Sequence, residues 1–154
     1  MNEFMHIALE AAKQSVMNGE GGPFGAVIVR DAKVVAVSAN SVIRDQDPTM
    51  HAEVSVIRKA AKELRRFNLS DCELYTTCAP CPMCLGAIYW AKIKKVYYGC
   101  TTEDAAAIGF DDAFIYRAIE DPQKYATLVS QPMEREQCLE AFTLWREKRN
   151  KTRY

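Results

Sequence analysis

The sequence has no excess of charge, no long apolar run and no internal repeat. Its 20 lysines and arginines balance 20 aspartates and glutamates over 154 residues. Such a chain has no global field to gather nucleic acid, and nucleic acid is not expected as a partner. No apolar stretch approaches the roughly 18 residues that suggest a membrane span, so no membrane partner is expected either. The opening stretch MNEFMHIALE lacks a basic segment followed by an apolar core, which argues against a secretory signal. There is no low-complexity segment and no linker, so one domain over residues 1–154 is expected. The expected compartment is the cytoplasm. In that setting six cysteines point to metal binding or catalysis rather than to disulfides.

What is present reads as alternating elements. Residues 2–18 carry Phe4, Ile7, Ala8, Ala11, Ala12 and Val16 on a period near 3.6, the mark of a helix. The β-branched runs FGAVIVR (24–30) and VVAVSA (34–39) flank a short turn and predict a hairpin. A helix over 51–65, a strand over 73–77, a helix over 82–91, a strand over 95–99 and a helix over about 134–149 follow. This order predicts a mixed sheet with helices on both faces, the two later strands being central and parallel. GEGGPFG (19–25) follows a helix and precedes a strand, the reverse of a phosphate loop, and reads as a turn where backbone passes close to something.

The stretch TTCAPCPMC (76–84) places Cys78, Cys81 and Cys84 three residues apart. An iron–sulfur run needs a fourth cysteine three residues further on, and positions 88 and 89 are Ile and Tyr. A thiol redox pair, Cys81 with Cys84, fits the strand-then-helix context but leaves the sequence His51-Ala52-Glu53 unexplained. His-x-Glu followed, after 30 residues from His51 to Cys81, by Pro80-Cys81-Pro82-Met83-Cys84 matches the signature of zinc deaminases. His51, Cys81 and Cys84 would hold one zinc ion, and no second C-x-x-C or H-x3-5-H exists to close the site as a structural one. The fourth position is then left to water, whose pKa zinc lowers. Glu53 would be the catalytic proton shuttle. Residues two apart do not share a helix face, so His51 and Glu53 must both lie in an irregular first turn. Cys78 reads as a buried thiol outside the metal site. Cys72, Cys100 and Cys138 read as small apolar residues at element ends, and His6 as surface.

With these motifs the chain resembles the cytidine deaminase superfamily, and within it the bacterial guanine deaminases. The resemblance runs through GGPFGAVIV (21–29), DPTMHAEV (47–54), CAPCPMCLGAIYWA (78–91), GFDDAFIY (109–116) and the tyrosine at 154. It implies a three-layer α/β/α fold around a central mixed five-stranded sheet. It also implies zinc-dependent hydrolytic deamination of guanine to xanthine, with attack at C2. Substrate contacts carry over to Phe24 as a stacking surface, to Asn40 and Asp112 as polar readers of the purine, to the backbone at Ala52, and to Tyr154. The resemblance further implies a homodimer in which the C-terminal segment is swapped between subunits. One departure is Ala79, where the superfamily usually has Glu. Relatives acting on guanosine or isocytosine would look similar. So would a tRNA adenosine deaminase, which shares the zinc site but needs a basic surface. Here the only basic cluster is REKRNKTRY (146–154) at a helix end, where cations are favoured in any case.

Overall fold

The structure, a computed structural model, describes residues 2–154. Along the chain it forms α1 (Glu3–Met17), β1 (Gly25–Arg30), β2 (Lys33–Ala39), α2 (Val42–Asp45), α3 (Ala52–Glu63), β3 (Glu73–Cys78), α4 (Pro82–Trp90), β4 (Lys95–Cys100), α5 (Thr102–Ala107), α6 (Ala113–Glu120), α7 (Pro122–Tyr125) and α8 (Arg135–Glu147). The chain divides into two compact units, one ending at Tyr116 and the other Arg117–Tyr154.

The first unit holds the sheet. Its order is β2-β1-β3-β4, with β1 antiparallel to β2 and β3 and with β3 parallel to β4. The hairpin turns at Asp31 and Ala32, both with positive φ, which a two-residue turn matched to the strand twist requires. α1 begins at Asn2, whose side chain accepts from the N–H groups of Phe4 and Met5. Its Ala8 packs with Val27, Val29 and Tyr75 on one face of the sheet. On the other face Ala52, Val56 and Ala60 of α3 and Ile88 of α4 pack on Ala26, Ile28 and Leu74. The unit is thus a three-layer α/β fold with a mixed sheet. β1 has five successive buried residues because both its faces are covered. Ile28, Val29, Val56 and Leu74 are each almost wholly buried, and each such side chain contributes about 1.5–3 kcal/mol of transfer free energy.

Three expectations are corrected. Five strands were implied, and among the described residues the sheet has four. After β4 the chain is helical. Thr101 and Asp104 form a reciprocal capping box at the start of α5, and Phe114, Ile115, Ala118 and Ile119 of α6 recur at helical spacing rather than alternating. No period-two segment is left to extend the sheet. The second correction concerns β4, which was expected to be central and lies at the sheet edge. The third is that Cys100 and Cys138 are exposed, Cys138 inside α8 rather than at an end. Cys72 is buried just before β3, as expected.

The second unit is helical, with α8 as its longest element. Within it the ring of Tyr154 stands edge-on to Trp145, with centroids 6.5 Å apart. Among the described residues no helix is long and apolar enough to cross a membrane.

Candidate metal centre

Two helix starts and one strand end build the centre. His51 is the N-cap of α3, with extended backbone (φ −68°, ψ 155°), and Glu53 sits one residue into the first turn after Ala52. That break in helical geometry lets residues two apart turn toward the same point. Cys81 is the N-cap of α4, Pro82 occupies its first turn, and Cys84 follows within that turn. Proline suits this position because its missing N–H would have no helical partner. The strand β3 delivers the loop between them, and Ala79 N–H continues the parallel pairing by donating to Cys100 O at 2.9 Å. Tyr116 Oη donates to Pro80 O at 3.2 Å, tying α6 to the residue before Cys81.

Cys81 Sγ and Cys84 Sγ lie 3.5 and 3.6 Å from His51 Nδ1. Zinc bonds of about 2.3 Å to sulfur and 2.0–2.1 Å to nitrogen, opened to a tetrahedral angle, require a sulfur–nitrogen separation of about 3.6 Å. Both sulfur–nitrogen separations therefore fit zinc. Among the described residues His51, Cys81 and Cys84 are the one group of three metal-ligating side chains this close together. Cys78 stands outside it. Its Sγ donates to Thr101 O at 3.4 Å, and burial pushes its thiol up to about 11.

Cys84 and His51 beside it draw the Cys81 thiol down to about 4. Cys84, next to Cys81, buried and beside Glu53, holds its own proton more tightly. A metal between them would displace that proton, since a coordinating thiol is deprotonated. The two helix N-termini supply partial positive charge to thiolates at this place. The Glu53 carboxyl is raised by burial, against hydrogen bonds that lower it from Thr76 and Cys84. Its Oε1 accepts from Thr76 Oγ1 at 3.0 Å, and its Oε2 from Cys84 Sγ at 3.4 Å.

A cavity of about 460 Å³ opens on His51 and Glu53, a volume in the range of small-molecule sites. Phe24, Asn40 and Asp112 line it, as do Phe110, Ile43, Pro48, Phe114 and Cys78. Phe24 and Phe110 meet edge to face with centroids 5.0 Å apart. Asn40 is buried, and its Oδ1 accepts from the N–H groups of Gly22 and Val42, each at 3.2 Å. The amide –NH2, with two donors, is what Asn40 has left to offer the cavity. Gly21 passes so close that a Cβ there would collide with Asn40 Oδ1, which explains the glycine at position 21 of GEGGPFG. Asp111 accepts from Ala113 N–H at 2.9 Å, and Asp111 and Asp112 both line the cavity. Burial raises the Asp112 carboxyl. Ala52, fully buried, heads the first turn of α3, where N–H groups lack helical partners. Of the expected site residues Tyr154 alone belongs to the second unit. The sequence reading missed Phe110, although it lies in the GFDD motif, and Thr76, although its place in β3 puts it on the same side as Leu74 and Cys78.

Residues 1–100 match the family model for the cytidine and deoxycytidylate deaminase zinc-binding region. The guanine deaminase of Bacillus subtilis (strain 168) is 48% identical over 151 residues, covering 98% of this chain and 97% of the relative. A crystal structure of guanine deaminase from Bacillus subtilis superposes with a TM-score of 0.94 at 48% identity, covering 100% of this chain and 99% of that one. A tRNA-specific adenosine deaminase of Buchnera aphidicola is 39% identical over 101 residues, which is 66% of each chain.

Proposed function

The chain belongs to the cytidine and deoxycytidylate deaminase zinc-binding family, and we propose that it hydrolyses guanine to xanthine and ammonia. The observation that carries this reading is the cavity itself. It joins the His–Cys–Cys centre to aromatic rings, an amide donor and a carboxylate acceptor, in a chain aligned along nearly its whole length with a guanine deaminase.

One zinc per chain, held by His51, Cys81 and Cys84, would supply a hydroxide nucleophile at neutral pH. Glu53 accepts the water's proton, passes it to the ring nitrogen beside C2, and assists the departing amine. Guanine presents N1–H and an amino group, both donors, to which Asp112 offers acceptors. The –NH2 of Asn40 donates to an acceptor on the purine, and the N–H of Ala52 is a further donor. Phe24, braced by Phe110, stacks on the base. Ala79, in place of the usual Glu, contributes only its backbone N–H here.

The protein works as a homodimer in the cytoplasm, where its thiols stay reduced. Leu85 and Tyr89, four apart on one face of α4, expose apolar surface of the kind that partners cover. The single domain exchanges its C-terminal segment, so that Tyr154 serves the partner's cavity. Removal of Tyr154 is expected to raise KM for guanine several-fold with zinc content unchanged; unaltered kinetics would withdraw it from the site.

Ammonia release from guanine, guanosine, isocytosine, adenine, cytosine and a tRNA anticodon stem-loop tests the whole reading. Guanine is expected to give the highest kcat/KM. A preference for the stem-loop would establish the tRNA-editing alternative, and a metal-free protein with a reversible Cys81–Cys84 disulfide would establish the redox one.

A further inference from the structure

Thr76 is wholly buried, with 0% exposure, on the inner strand β3. A buried hydroxyl needs a partner, and the one it has is Glu53 Oε1 at 3.0 Å. Its register neighbours, Ala26 on β1 and Tyr98 on β4, bracket it on both sides, so the donor is fixed in a strand paired along both edges. Thr76 does not line the cavity.

The two carboxylate oxygens are thereby made unequal. Oε1 is held by a hydroxyl of the sheet, whereas Oε2 lies 3.4 Å from Cys84 Sγ, on the side of the metal centre. We infer that Thr76 is a positioning residue for Glu53, pinning Oε1 so that Oε2 alone carries protons between water and substrate. The inference depends on the deaminase reading above. It adds that the shuttle works through one oxygen with a fixed orientation, where a freely rotating carboxylate could present either.

The test compares Thr76→Val, which keeps the shape and removes the donor, with Thr76→Ser, which keeps the donor. A hydrogen bond to a charged group predicts a fall in kcat of about tenfold to a hundredfold for Thr76→Val. KM for guanine and zinc content should stay at their wild-type values, and Thr76→Ser should recover most of the loss. In a Glu53→Gln background the same Thr76→Val change should cost no further activity, since its effect passes through Glu53. Unfolding midpoints of the metal-free proteins give a readout independent of turnover. There Thr76→Val and Glu53→Ala, each of which removes the bond, should be non-additive. If Thr76→Val does not fold, Thr76→Ala carries the same expectations. Wild-type kcat in Thr76→Val, no recovery in Thr76→Ser, or additive losses in either double variant would overturn the inference. A wild-type protein inactive on guanine would instead overturn the function on which it depends.

Discussion

Asn40 carries two duties that one pair of substitutions can separate. Its Oδ1 holds the N–H groups of Gly22 and Val42, and its –NH2 is the group left for the substrate. Asn40→Asp keeps the shape and the acceptor but removes the donor. Asn40→Ala removes both. Each orphaned N–H costs about 1–3 kcal/mol when buried. Both residues are half-buried, so water can reach them and the low end applies, about 2 kcal/mol together. For a chain of this size that lowers the thermal midpoint by roughly 4–8 °C. Asn40→Asp should therefore melt within a few degrees of the parent protein, while Asn40→Ala melts clearly lower. In catalysis the order changes. An acceptor on bound guanine left facing no donor, or a carboxylate, loses about 1–3 kcal/mol, which is roughly 5- to 150-fold in kcat/KM. Both variants should show that loss, the aspartate at least as strongly as the alanine. Thermal melts and steady-state ammonia release on the same preparations make the comparison. If Asn40→Asp keeps kcat/KM within threefold, Asn40 does not read the purine through its –NH2. If Asn40→Ala melts with the parent, the bonds to Gly22 and Val42 hold nothing up.

Glu53→Ala should keep its zinc, measured by metal analysis, and lose at least 10²- to 10⁴-fold in turnover; Cys84→Ala should lose both metal and turnover. Gly25→Ala places a methyl against the carbonyl oxygen of Ala8 in α1. Backbone on both sides cannot yield easily, so denaturant unfolding should show a loss of about 1–3 kcal/mol or more, and unchanged stability would mean that α1 is not seated as described.

The helices and the hairpin were legible because their apolar residues follow simple periods. The metal centre was legible because its chemistry demands few residue types in a fixed order. The rest depended on tertiary neighbours. The run KVYYG reads alike at a sheet edge and at a sheet centre, so the position of β4 was not available from it. Asn40 could be marked as polar, but which end of its amide faces the cavity is decided by N–H groups of Gly22 and Val42 in two different loops. Asp111 and Asp112 are alike in the sequence, and only the structure shows that Asp111 also takes the N–H of Ala113 at the start of α6. Thr76 was hidden by its type, since threonine is ordinary in a strand and becomes informative only when Glu53 is seen beside it.

The ligands of the centre stand at the heads of two helices separated by 33 residues from His51 to Cys84. An ion there closes a loop of that length, which by chain entropy alone is a restraint of about 3–4 kcal/mol on the unfolded chain. In a living cell that restraint would become a matter of survival time. A copy that never acquires its ion, or gives it up, opens more often around α3 and α4, and transient opening is what intracellular proteases act on. The number of copies present would then follow zinc supply through their disposal as well as through their loading.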